Sequence, residues 1–464
     1  MSKPLAPDYN TVFLFSPSLE DWISPRHPAR FIREFVDSLE LRKLGFAVEY
    51  ANEGRPAYSS SVLLKVWLFA YLNKIGSSRT LERACHENVA LIWLSGLLYP
   101  DHNTLWRFWT TNQKAIGELF RHTVRVACRM GLVDMVLNAV DGTKIQAVCS
   151  GRSGWTKESV EKLLATLEPE IEQMEQQIQQ AGTPDGSTYQ LPSELADKKR
   201  LREQLQLVRS QMEQSERKHV HPQEPEARRM PCEGRNRFGY NGQAVADSKA
   251  GVIVAAELTN QEQDGGLATA MLEQATANTG QKAQQTVADS GYGGAEDLAQ
   301  AQAAGYELIA PPAQGSKRAA QPYHASHFHY DELKDVCICP EGRELKLERV
   351  TEKADRGQVR IYRCKCADCP VKNLCTKDRQ GRMIELGQHH KIVTEQRQKL
   401  ARPDIQAVLR RRQVIIEPVF ATIKERLGFR RWTLRGLTRA RTQWLWLCSM
   451  VNLMKIMKAK AQTA

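Results

Sequence analysis

Long apolar runs are missing from this 464-residue chain. The longest, Trp444 to Met454, is broken by Ser449 and Asn452 and is too short to cross a bilayer, so it is expected to be a core helix. Met1-Ser2-Lys3-Pro4 leads into no apolar secretion segment. Without such a signal, 11 cysteines argue for a reducing, cytoplasmic setting rather than a disulfide framework. Acid is scarce at the C-terminus: Arg410 to Ala464 holds 13 lysines and arginines against only Glu417 and Glu425, a local charge of +11. The whole chain carries +12, so a polyanionic partner is expected at that end, and no membrane. A hydrophobic content of 42% with 25% charge excludes a disordered chain, and the length calls for two or three domains.

Residues 1–130 read as helical. Phe31, Phe35, Val36 and Leu39 follow helical spacing, as do Val62, Val66, Phe69, Ala70 and Asn73. Ser78 to Ala84 and Asp101 to Thr104 offer caps for two further helices. With Trp67, Trp93, Trp106 and Trp109, this region suits either a helix-turn-helix-type DNA module or an all-helical dimerisation domain. His86 and His102 read as surface or cap residues rather than metal ligands.

Met135 to Val148 has the β-branched and aliphatic content of a buried strand, and it contains Asp141-Gly142. Asp-Gly is ordinarily a turn, and here it would place a carboxylate at a bend or bulge. A carboxylate inside an apolar strand is costly unless it is paired or holds a metal. Residues 131–155 are assigned to this first strand of a core. In 156–218, Val160, Leu164, Leu167, Ile171, Met174 and Ile178 make a heptad seam that Leu201, Leu205, Val208 and Met212 repeat. An inserted antiparallel helical hairpin is expected, turning at Ala181 to Ser187, with Ser193 capping its second helix.

Over 235–312 the core resumes. Arg237 to Asp247 and Gly251 to Leu258 alternate as two strands, then Leu267–Ala277 and Ala295–Ala304 read as helices. Gln285 to Asp289 and Tyr306 to Ala310 are short strands, so Asp289 ends an apolar run as Asp141 interrupts one. A third acid, Glu417, lies in a helical pattern within 400–464, with Lys424 seven residues on along the same face. Three carboxylates brought together repel one another unless cations sit between them. Two Mg²⁺ (or Mn²⁺) ions would resolve that repulsion and serve phosphoryl transfer.

These residues carry a resemblance. Asp141-Gly142-Thr143-Lys144, Gly239-Tyr240-Asn241-x-Gln243, Ala288-Asp289-Ser290-Gly291-Tyr292 and the block from Glu417 through Arg435-Gly436-Leu437 are similar to DDE transposases of bacterial insertion sequences. Gly54 to Tyr58 and Ser77 to Glu82 match as well, and the similarity runs from about Leu19 to Ile456. The resemblance implies an α/β RNase H-like mixed-sheet catalytic core, with an all-α N-terminal domain, an inserted helical hairpin and a small Cys-rich insertion. It implies that Asp141, Asp289 and Glu417 hold the metals, with Lys424 as a catalytic companion. The family's Tyr-x2-Arg-x3-Glu-x6-Lys signature is kept only in its second half. Arg410 stands at the Tyr position and Gln413 at the Arg position, with Arg412 one residue away. The implied reaction is DNA strand cleavage and strand transfer at the element's terminal inverted repeats, by a homodimer in the nucleoid. An RNase H-like nuclease without strand transfer, or a domesticated, non-catalytic DNA-binding protein, are the alternatives.

Arg430, Arg431, Arg435 and Arg439, together with Arg412, are candidate contacts to double-stranded DNA. Tyr292 reads as a core or sheet-end residue. Six cysteines crowd between Cys337 and Cys375 within a Cys-rich insertion at 313–395. Cys339, Cys366, Cys369 and Cys375 form a candidate tetrathiolate for one structural Zn²⁺, with Cys337 or Cys364 as alternates and free buried thiols as the other reading. His324, His327 and His329 read as surface loop.

Overall fold

Helix caps and chain-breaking glycines lay out the N-terminal region. In the computed structural model, which describes residues 18–48, 57–150, 154–181, 193–215, 217–312, 322–353, 357–366 and 368–463, a short 3-10 helix (Leu19–Trp22) and six α-helices precede the first strand. The α-helices are α1 (Pro28–Asp37), α2 (Ser60–Leu72), α3 (Ser78–Glu87), α4 (Val89–Ser95), α5 (His102–Thr111) and α6 (Gln113–Arg129). Ser59 caps α2, Asn88 caps α4, and Asp101 caps α5 by accepting from the Thr104 amide at 2.7 Å. Gly96, at φ +65°, ends α4. Gly54 to Pro56 and residues 182–187 of the expected hairpin turn lie outside the described residues.

The first sheet contains β1 (Leu137–Gln146), β2 (Arg228–Cys232), β3 (Arg235–Asp247), β4 (Ile253–Thr259), β5 (Gln285–Val287) and β6 (Leu308–Ile309). Between β1 and β2 stand two long helices, α7 (Lys157–Ala181) and α8 (Ser193–Ser215), while α9 (Ala268–Thr279) and α10 (Ala295–Ala303) connect the later strands. The strand order is β2-β3-β1-β5-β6, with β4 also on β3. β1, β3 and β4 run antiparallel in turn, whereas β1, β5 and β6 are parallel. The result is a mixed α/β core behind a helical N-terminal region. β1 pairs with β3 without interruption from Asn138 to Gln146, so Asp141-Gly142 is mid-strand. The expected bend or bulge is therefore corrected, and its reason lies in the site itself.

α7 and α8 pack through their own core, in which Val160, Leu164, Leu167 and Ile171 meet Leu195, Leu205, Val208 and Met212. Lys198–Glu170 at 3.1 Å and Lys199–Glu175 at 2.6 Å bridge the two helices. Ser193 lies within α8, and the residues before it are outside the described ones.

A second, five-stranded antiparallel sheet was not foreseen. It comprises β7 (His329–Asp331), β8 (Val336–Ile338), β9 (Glu344–Lys353), β10 (Gly357–Cys364) and β11 (Arg382–Gly387), with the short helix α11 (Lys372–Cys375) before β11. Then follow α12 (His390–Ala401), α13 (Pro403–Ala421), a π-helical turn at Thr422–Arg426, and α14 (Leu437–Thr463).

α14 ties the whole together. Its Trp444, Trp446, Cys448, Val451 and Leu453 are buried in one core shared by the N-terminal helices and the first sheet. Asn452 accepts from the Ile253 amide at 2.8 Å and donates to the Ile253 carbonyl at 2.9 Å, satisfying the free edge of β4. Trp444 donates to the Gln243 carbonyl at 3.0 Å. Among the described residues no helix is long and apolar enough to cross a membrane.

Candidate active site

Strand register alone sets the first two acids side by side. Ala139 pairs with Val287 across the parallel β1–β5 ladder, and Asp141 and Asp289 each follow two residues later. Neighbouring strands lie about 4.8 Å apart, so both carboxylates come to one level, where β5 ends beside the middle of β1. Open α/β sheets place their ligands at the carboxyl ends of parallel strands such as β5. Asp289 leads into a tight turn by accepting from the Gly291 amide at 2.8 Å.

Asp141 is largely buried. One carboxylate oxygen accepts from Arg412 Nη1 of α13 at 2.5 Å, and the other from the Gly142 amide at 2.8 Å. Burial pushes its carboxyl up from 3.8 to about 6; Arg412 and the Gly142 amide pull it down, while Asp289 and Asp264 push it further up. Burial therefore outweighs the guanidinium.

Asp264, in the loop between β4 and α9, was not singled out from sequence. Its Oδ2 accepts from Lys144 Nζ at 2.7 Å, and its Oδ1 accepts from Asn241 Nδ2 at 2.7 Å and Gln243 Nε2 at 2.8 Å. Gln243 in turn accepts from the Tyr292 hydroxyl. Tyr292 is wholly buried, and burial, then Asp264, Asp141 and Asp289, hold its hydroxyl well above the usual range. A continuous polar chain thus runs from the turn that begins at Asp289, through β3, to Lys144 on β1.

That chain explains Gly142. A Cβ there would stand 2.3 Å from Gln243 Nε2, 2.6 Å from Asp264 Oδ1 and 2.7 Å from Asn241 Oδ1. Glycine admits the network directly behind the backbone of Asp141, with no turn required.

Glu417 is not drawn in. It is exposed on α13, with no hydrogen bond or ion pair among the described residues. The inward face of α13 carries Arg412, Ile415, Ile416 and Val419 instead. Lys424 lies in the π-helical turn near Cys232. Burial raises the Cys232 thiol to about 11, against the pull of Arg237, Lys424 and Lys144. Among the described residues no three His, Cys, Asp or Glu side chains are disposed to hold a metal ion.

The candidate DNA arginines are mostly engaged within the protein. Arg430 pairs with Glu233 at 2.6 Å, and Arg431 donates to the Ala147 carbonyl at 3.1 Å. Arg435 donates to Gln223 at 3.0 Å, and Arg439 lies over the Trp106 ring at 5.7 Å. Beside them, Trp432 donates to the Ile145 carbonyl at 3.1 Å, stapling this segment to the end of β1.

Cys339, Cys366, Cys369 and Cys375 line one small cavity of about 20 Å³, with Arg343 and Arg382 at its wall. Burial raises the Cys375 thiol, Arg382 lowers it, and the other three sulfurs raise it. Cys337 and Cys364 sit in the adjoining core with Leu345 and Tyr362. All six cysteines are free thiols.

Two family models match the chain. The Transposase DDE domain matches residues 338–457, from β8 through Glu417 and Lys424 into α14. The Transposase domain (DUF772) matches residues 17–111, from before α1 to the end of α5. Neither match reaches Asp141 or Asp289. No curated protein matches the chain.

Proposed function

We propose a reaction for a chain that belongs to the DDE-type transposases of insertion sequences: metal-dependent cleavage of a DNA strand at the terminal inverted repeats, followed by transfer of the freed 3′ end to target DNA. The observation that carries this reading is the pair Asp141 and Asp289, level across the parallel β1–β5 pair, with Asp264 as a third acid beside them. The strand order β4-β3-β1-β5-β6, antiparallel on one side and parallel on the other, supports an RNase H-like core.

Carboxylate oxygens are the hard donors that Mg²⁺ or Mn²⁺ takes, and the negative charge gathered around Asp141 suits a divalent ion. Asp141 and Asp289 would hold such ions, with Glu417 completing the set once α13 turns it inward on the DNA; when bound, the ions would activate the attacking oxygen and stabilise the leaving one. Arg412 keeps Asp141 paired until then; released, its guanidinium faces the site where a phosphate would lie. Lys424 supplies a further phosphate contact from the π-helical turn. The Tyr292–Gln243–Asp264–Lys144 chain fixes the spacing of the two aspartates, so it works by positioning. Arg435 and Arg439, exposed at the start of α14, would hold the duplex in register. Cys339, Cys366, Cys369 and Cys375, which line one cavity, would supply the soft donors of a structural Zn²⁺ once their sulfurs converge on it. The protein would act as a homodimer, one subunit for each end.

The test is strand transfer of a labelled end-sequence duplex in Mg²⁺. Asp141→Asn is expected to bind the duplex and form no product; product yield equal to wild type would refute the reading.

A further inference from the structure

Where Arg430, Arg431 and Arg441 of the tail are held within the protein, three lysines are not. Lys455 and Lys458 lie three residues apart on one face of α14, and Lys249 comes from the turn between β3 and β4. Together with Gly251, Val414, Pro418 and Gln462 they line a concave surface of about 380 Å³ beside α13. No acidic side chain lines it. None of the three ammonium groups has a hydrogen bond or ion pair among the described residues.

The nearest acid of the turn is already committed. Asp247 is buried and accepts from the backbone amides of Met135 at 2.9 Å and Lys249 at 3.0 Å. Gly251 has φ +68°, and a Cβ on it would come 3.2 Å from Lys455 Nζ, so that ammonium sits directly over the turn. Arg411 precedes Val414 by three residues and Pro418 by seven on α13, extending the same face. Lys455 is half-buried; burial, then Lys458 and Arg426, hold its ammonium below the usual range. Lys455, partly desolvated beside the exposed Lys458 and with no ion pair among the described residues, is favoured by an anion that completes the surface.

We propose that the surface formed by Lys249, Lys455 and Lys458 is a second docking site for the phosphate backbone of duplex DNA. It rests on the proposed function and adds to it a track built of lysines rather than of Arg435 and Arg439. A row of cations from α14, the β3–β4 turn and α13 fits a run of phosphates without reading bases.

The experiment measures duplex binding by the intact chain, with EDTA present, as a function of KCl. Each phosphate neutralised contributes a slope of about −0.9 in log K against log salt, so Lys249→Gln/Lys458→Gln should be shallower by about 2. The control Lys43→Gln/Lys334→Gln removes the same charge from exposed, ion-paired sites and should leave the slope unchanged. An unchanged slope in the first variant, with thermal melting like wild type, overturns the surface alone. An equal drop in the control also overturns it, since net charge would then suffice. If the wild-type chain binds no duplex at low salt, the proposed function falls and this surface with it.

Discussion

Ionising Asp141 works against the fold, and replacing it with asparagine exposes the cost. Its carboxyl stands at about 6 in the folded protein against an ordinary 3.8. One pH unit of such a difference is worth about 1.4 kcal/mol, so the gap amounts to about 3 kcal/mol. Because the folded value is raised, the folded state binds the proton more tightly. The stabilising contribution is fully present below about pH 4 and is lost as pH rises through about 6. Asp141→Asn cannot ionise and lacks this dependence. The wild-type ion pair with Arg412 exists only while Asp141 is ionised and is already contained in the value of about 6, so it adds nothing separate to the pH dependence. Urea midpoints followed by tryptophan fluorescence, without metal, should therefore converge on or overtake wild type as pH rises from 4 to 7.5. The variant-minus-wild-type stability should climb by about 3 kcal/mol over that window. Parallel profiles for the two proteins would refute the assignment of a buried, strongly perturbed carboxyl.

Two further substitutions test the network behind Asp141. Asp264→Asn leaves Lys144 with a buried, unmatched charge and should cost about 3–5 kcal/mol in urea unfolding; a midpoint equal to wild type would show that the pair is not formed. Gly142→Ala drives a methyl into Gln243, Asp264 and Asn241, and should cost about 1–3 kcal/mol while sharply reducing strand cleavage. A fully active Gly142→Ala protein would mean that the aspartate backbone tolerates displacement.

Much of this architecture could be read from local pattern. The heptad seam from Val160 to Ile178 has an inward face that does form the α7–α8 core. The apolar stretches around Asp141 and before Asp289 are strands, because aliphatic residues packed on both faces leave them no other stable arrangement. Asp264 was hidden for a physical reason: its partners Lys144, Asn241 and Gln243 are 120, 23 and 21 residues away, and its own loop is polar throughout. A signal did exist, since polar side chains set in apolar strands demand a buried partner. The Cys-rich sheet is hard to read from sequence because β9, Glu344–Lys353, buries only Leu345 and exposes most of its other side chains, so the Leu345/Leu347 alternation is short and stands alone. The tail's charge count likewise could not reveal that Arg430 and Arg431 are spent on Glu233 and on backbone carbonyls.

The central claim is that acids at 141, 289 and 417 jointly bind divalent cations, and Glu417 is its hardest case because it faces solvent on α13. The most direct measurement is Mn²⁺ uptake by the duplex-bound protein, read by water-proton relaxation, for wild type and for Asp141→Asn, Asp289→Asn and Glu417→Gln. All three variants should bind Mn²⁺ more weakly, each by at least tenfold, which is about 1.4 kcal/mol. Wild-type uptake in Glu417→Gln would contradict the account.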